Sequence, residues 1–205
     1  MISISAELTK NKHVITFLRE MPEMFPEAIA DAANKAAKRV TPEARKLLKK
    51  YWNAAKGAAN EEWKTTKAKA DDPTATVSVS SGMTPFYNMG AAPQSVMSGK
   101  TSGGVSVFIG ENRHVFKHAF VAQTASGHKG VFERTGKTRI INSGRGKGKR
   151  REAVKELYTI SIPQMTEDVT KMRITPVLAK QAQEAFENAF IESCDGFLRA
   201  SGLNP

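Results

Sequence analysis

Cysteine is nearly absent. Cys194 is the only one, so no disulfide can form within the chain, and a reducing compartment fits. Long apolar runs are absent too. None approaches the ~20 residues that cross a bilayer, so no place in a membrane is expected. The first residues, MISISAELTKNKHVITFL, do not read as a signal peptide, because Glu7 and the lysines interrupt any apolar stretch. The expectation is a protein that is soluble and intracellular when made. Acidic residues are in short supply: 20 Asp and Glu stand against 31 Lys and Arg, a formal charge of +11. Such an excess favours an anionic partner, whether nucleic acid, a membrane surface or an acidic protein face.

Catalytic signatures are missing as well. There is no G-x-S-x-G, no P-loop and no H-E-x-x-H. Gly144, Gly146 and Gly148 resemble a phosphate cradle only superficially, since no strand-to-helix turn surrounds them. The histidines are His13, His114, His118 and His128. His114 and His118 have a zinc-like spacing for a helix but flank a predicted strand, where they lie far apart, and no Cys pair or convergent acid joins them. Cys194 falls in a helical apolar stripe and reads as a small buried side chain. Glu133 and Arg134 invite ion pairing, but no second carboxylate accompanies Glu133. The expectation is no enzyme, no metal, no cofactor and no small-molecule substrate.

What is present begins with an ambiguous stretch. Residues 1–18 alternate weakly, as an edge strand or a loosely attached arm would. A first helix is predicted from Pro26, which suits a first helical turn. Its face of Ile29, Ala32, Ala33, Ala36, Ala37 and Val40 is mostly alanine, which allows close packing. Thr41-Pro42 reads as a cap and restart. A second helix then runs from Glu43 to about Lys56 with Ala44, Leu47, Leu48, Tyr51, Trp52 and Ala55 on one side. Asn60-Glu61-Glu62-Trp63 reads as a fresh cap, giving a short third helix to Ala70.

Strands are predicted over 74–80, 105–109, 115–122, 128–134 and 156–162. Gly110-Glu111-Asn112 reads as a turn. Ser81 to Gly104, rich in Gly, Ser, Pro and Met, reads as irregular and mobile. Its Phe86, Tyr87, Met83, Met89 and Met97 are adaptable apolar groups. Of these, Phe86, Tyr87, Met89 and Met97 are candidate subunit contacts that a neighbouring copy would complete. A last helix is predicted from Thr175-Pro176 to about residue 200, with Leu178, Ala182, Ala185, Phe186, Ala189, Phe190, Cys194 and Phe197 as its stripe.

Ala119 to Pro163 is the most strongly marked stretch. Phe120-Val121-Ala122 and Val131-Phe132 flank the turn composition Thr124-Ala125-Ser126-Gly127, a β-hairpin signal. Phe120 and Phe132 are expected to face the helices. From Lys137 to Arg151 there are seven cations and no acid: Lys137, Arg139, Arg145, Lys147, Lys149, Arg150 and Arg151. No aromatic lies among them, so base stacking is not suggested; contact with phosphates or carboxylates is. This segment reads as a flexible basic loop. Tyr158, Ile160 and Ile162 then alternate on a return strand that Pro163 ends.

The string GHKGVFERTGK (Gly127 to Lys137), the basic loop, and REAVKELYTISIPQM (Arg151 to Met165) resemble the phage minor tail protein Z family. An Ala-rich helical first third, a preceding AFV strand and a C-terminal helix agree in layout. The resemblance implies a structural protein of virion assembly, completing the tail at the head–tail junction or neck. It further implies work within a homo-oligomeric ring beside other tail or neck proteins, with DNA passing through the channel. It places the protein in the virion, and in the host cytoplasm during assembly. Charge alone supports a different class, a nucleic-acid-binding module that contacts DNA phosphates through residues 137–151.

The fold expected is α+β. One domain over 1–205 would have a helical part at 20–70, an antiparallel or mixed sheet of about five strands at 74–163, and a helix at 175–200. The N-terminal helices and the C-terminal helix would pack on the sheet.

Overall fold

The computed structural model describes residues 12–54, 62–93, 104–110, 112–142, 144–167 and 174–203. It has the α+β composition expected. The described chain falls into two compact units, one of residues 1–47, 62–80 and 166–205, the other of residues 48–61 and 81–165.

The first unit is built on three helices. Helix α1 spans Lys12–Glu20, so this part of the ambiguous first stretch is helix rather than strand. Val14 and Phe17, three residues apart, are its buried side chains, the spacing of one helical face. Helix α2 runs unbroken over Phe25–Trp52 with Pro42 inside it. The predicted restart at Thr41-Pro42 is therefore overturned. A proline inside a helix costs about 3 kcal/mol, but Ala36, Ala37 and Ala44 are buried on both sides of it, and packing of a continuous face outweighs a local penalty. Helix α4 covers Ile174–Ala200, close to the predicted span.

Val14, Phe17, Ala28, Ala32, Ala189, Phe190, Cys194 and Leu198 form one core cluster. The alanines of α2 give the room that the Phe17 and Phe190 rings fill. Each ring, fully buried, contributes about 1.5–3 kcal/mol. His13 Nδ1 meets Asp195 Oδ1 at 2.8 Å, tying α1 to α4. Asn34 pairs with the backbone of Ala68 in both directions, donating at 3.0 Å and accepting at 2.9 Å.

Glu62–Thr66 is strand β1, paired antiparallel with β2, Thr76–Ser80. The third helix predicted to Ala70 is thus a strand over Glu62–Thr66 and irregular from there to Ala70, and Asn60 and Glu61 lie outside the described residues. Trp63 sits opposite Val79, and Thr65 opposite Val77. Aromatic and β-branched cross-strand pairs of this kind favour the ladder over the cap signal.

The second unit carries the remaining sheets. Strand β3 (Met83–Pro85) pairs with β9 (Tyr158–Ser161), and β4 (Val105–Ile109) with β5 (Asn112–Phe116). Strands β6 (Ala119–Gln123), β7 (Lys129–Ile140) and β8 (Arg150–Glu156) form a three-stranded sheet. Among the described residues there are nine strands in four small antiparallel sheets, where one sheet of about five was expected. The predicted strand 115–122 is two strands, broken at the Lys117–His118 turn. The predicted return strand 156–162 is also divided. Thr159 is its buried residue, and Tyr158 on the other face is 42 % exposed. Ile162 opens helix α3, Ile162–Glu167, and Pro163 sits in its first turn, where its missing N–H costs nothing.

Phe86, Ala91, Val105, Val107, Ala119, Val121 and Val131 make the core of this unit. Phe120 and Phe132 pair across β6 and β7 with ring centroids 6.3 Å apart. Alternation puts them on the face opposite Val121 and Val131. The side of the sheet that holds the unit's core is therefore the valine side, not the phenylalanine side.

Candidate partner-binding site

The residues predicted as a basic loop form the end of a β-hairpin. Strand β7 continues to Ile140 and β8 begins at Arg150. Arg134 pairs with Val154, Thr138 with Glu152, Arg139 with Arg151, and Ile140 with Arg150. The register shifts once, between Arg134 and Thr138, where Gly136 has φ +73°. The expectation of an irregular loop is thus corrected: a ladder of backbone hydrogen bonds forms without an apolar alternation to announce it.

The hairpin closes through a bulge. Gly148 N–H donates to the Ile141 carbonyl at 2.8 Å, and Ile141 N–H donates to the Lys149 carbonyl at 3.0 Å. Two residues, Gly148 and Lys149, thereby oppose one. Gly148 has φ +82°, the left-handed conformation that glycine adopts without strain at this bulge position. A 3₁₀ turn, Gly144–Gly146, completes the connection.

Base and tip of this hairpin differ in charge. At the base, Arg134 Nη1 lies 3.2 Å from Glu152 Oε2, and Lys155 Nζ lies 3.1 Å from Glu133 Oε2. The Arg134 guanidinium also stands over the Phe120 ring at 5.5 Å. Towards the tip, Lys137, Arg139, Lys147, Lys149, Arg150 and Arg151 are all exposed. None of these six has an ion-pair partner among the described residues. Arg145 lies in the 3₁₀ turn.

A polar knot fixes the root of the hairpin. Glu156 Oε1 is 2.8 Å from His128 Nε2, and Glu156 Oε2 accepts the Tyr158 hydroxyl at 2.7 Å. The hydrogen bond to Glu156, then burial, push the Tyr158 phenol above its ordinary value. Gly130 leaves room for this carboxylate: a Cβ there would stand 2.5 Å from Glu156 Oε1. The sequence hides this cluster because His128 lies 28 residues from Glu156 and reaches it only when β7 and β8 pair.

The candidate subunit contacts divide. Phe86 is 6 % exposed and Met89 0 %, so the chain itself covers them and they are not left open for a neighbour. Phe86 packs on Phe116 with centroids 4.9 Å apart. Tyr87 is half-buried against the same core. Met97 lies outside the described residues. The first part of the stretch predicted as irregular is ordered: β3 is paired, and Phe86–Asn88 is a 3₁₀ turn. Residues 94–103 lie outside the described residues.

His114 lies in β5 opposite Val107, and His118 in the following turn. Among the described residues no group of three or more His, Cys, Asp or Glu is placed to hold a metal. Burial pushes the Cys194 thiol up to about 12, which suppresses the reactive thiolate. In α2, burial raises the Asp31 carboxyl, but hydrogen bonds from Ser193 and Lys35 outweigh it and hold it below its ordinary value. No helix among the described residues is long and apolar enough to cross a membrane.

The family model of prophage minor tail protein Z (GPZ) matches residues 12–190. No curated protein and no solved structure matches the chain.

Proposed function

Because the chain belongs to the prophage minor tail protein Z family, a family of structural proteins of the phage tail, we propose that it completes the tail at the head–tail junction. It acts there as a structural part of a ring of its own copies, in contact with other tail or neck proteins, and carries out no reaction. It reaches the virion from the host cytoplasm, where assembly takes place. The observation that carries this reading is the extent of the family match, which runs from α1 into α4 and takes in both compact units. The tip of the β7–β8 hairpin, whose exposed cations have no ion-pair partner among the described residues, supports an anionic neighbour. Such neighbours exist at a junction where DNA and protein rings meet.

Two measurements test it together. Phage deleted for the gene should accumulate filled heads and tails that fail to form infectious particles, as seen by electron microscopy, and the cloned gene should restore them. The purified protein should form a ring, alone or on isolated tails, by light scattering and negative-stain imaging. Normal yields of infectious particles without the gene would overturn the junction role. A protein that stays monomeric both free and on tails would overturn the ring. Steeply salt-dependent DNA binding by such a monomer or dimer would favour the nucleic-acid-binding module instead.

A further inference from the structure

We propose that the distal β7–β8 hairpin is an arm that binds double-stranded DNA through its phosphates, without regard to sequence, by lying in a groove of the duplex. The proposal stands on the arm itself, so a protein that forms no ring but binds duplex this way would uphold it.

Shape is the first argument. From Arg134 to Ile140 every residue of β7 is exposed, as are Arg150, Arg151 and Val154 of β8, so the described residues leave both faces of the ribbon largely open. A two-stranded ribbon of this kind is what the major groove, about 12 Å wide, admits.

Charge placement is the second. Arg139 and Arg151 are directly opposite in the ladder, so their side chains leave the same face about 5 Å apart at Cβ. A Cβ at Gly146 would stand 2.8 Å from Ile141 Cδ1 and 4.0 Å from Arg151 Nη2, so Ile141 and Arg151 share that face. Arg150 is opposite Ile140, on the other face. Lys147 and Lys149 stand at the end. Cations thus point from both faces and from the tip. A flat acidic protein surface would be met by one face only. A groove presents phosphates on both walls.

Composition is the third. Protein interfaces are depleted of lysine and place apolar groups at their centre, whereas DNA interfaces are polar and strongly positive. Here six exposed cations with no ion-pair partner among the described residues outnumber Ile140 and the half-buried Ile141. No aromatic side chain lies between Lys137 and Arg151, so a single strand would find no stacking platform.

The test is equilibrium binding of the full chain to a short fluorescent duplex of mixed sequence, followed by anisotropy between about 50 and 200 mM salt. The arm variant changes Arg139, Lys149, Arg150 and Arg151 to Ser. The control changes Lys12, Lys67, Lys69 and Arg199 to Ser and lowers the net charge equally. Wild type and control should bind duplex more tightly than a single strand of the same sequence or polyglutamate. The arm variant should bind at least tenfold more weakly, and its salt slope should fall by about 0.9 for each phosphate contact removed. Should the Ser variant melt below the wild type, the same four positions changed to Gln replace it. Equal losses in arm and control variants would reduce the effect to net charge and overturn the proposal. So would equal affinity for the single strand, which removes the groove. Preference for polyglutamate would make the arm a protein-docking element and overturn it too.

Discussion

Strand β7 holds two environments on one continuous backbone. Gly130, Val131 and Phe132 are buried, and their neighbours across β6 and β8 pack against them. From Arg134 onward the same strand is exposed on both faces, and the cross-strand neighbour of Arg139 is another arginine. At the base, side chains stabilise the ladder. At the tip, the backbone holds the ladder while the side chains work against it, because like charges directly opposite destabilise a strand pair. A surface that destabilises its own fold is best explained by what it meets outside the fold.

The largest expected effect tests the buried half. Phe132→Ala should lower the unfolding free energy by about 3 kcal/mol, the usual cost of emptying a buried phenylalanine site. Ile140→Ala, at a residue 57 % exposed, should change it by less than about 0.5 kcal/mol. Urea unfolding of both variants checks the contrast. Similar losses at the two positions would erase the distinction between base and tip.

A smaller effect sharpens the boundary. Gly130→Ala places a methyl where Glu156 crosses the strand. Overpacking of this kind costs about 1–3 kcal/mol. Because the clash is with the carboxylate that also holds His128 and Tyr158, the cost should shrink when Glu156→Ala is added. A double-mutant cycle in thermal unfolding measures this coupling. Strict additivity would mean that Gly130 is constrained by something other than Glu156.

The same contrast explains what the sequence disclosed. Helix α4 was legible because Leu178, Ala182, Ala185, Ala189 and Phe190 recur at helical spacing and are buried. The β6–β7 hairpin was legible because apolar runs flank a turn composition. The distal arm was not, since periodicity reports burial and nothing there is buried on either face. Strand β1 was masked by a convincing helix cap, and the continuity of α2 by Thr41-Pro42. In both, a local signal was real but weaker than the pairing or packing around it. Of the candidate site, the cations were visible as a run. Their division into ion-paired base and unpaired tip needed the register, which places Glu152 beside Arg134 and leaves Arg139 facing Arg151.

The smallest expected effect is the most direct probe of the tip. Arg139→Thr removes one member of the like-charge rung and puts a β-branched residue, favourable in strands, in its place. Both changes act in the same direction. The variant should be as stable as the wild type or more stable by a few tenths of a kcal/mol, the scale of exposed cross-strand pairs. Salt should narrow the gap: the repulsion acts through solvent, and the Debye length shrinks from about 10 Å at 0.1 M to about 3 Å at 1 M. Thermal unfolding at low and high salt reads both quantities. A loss of stability that persists in high salt would show that Arg139 packs or bonds within the fold, and the tip would then be part of the structural sheet. A gain confined to low salt would show that the wild-type chain tolerates a repulsive rung in isolation, as expected of a surface whose counter-charge arrives with its partner.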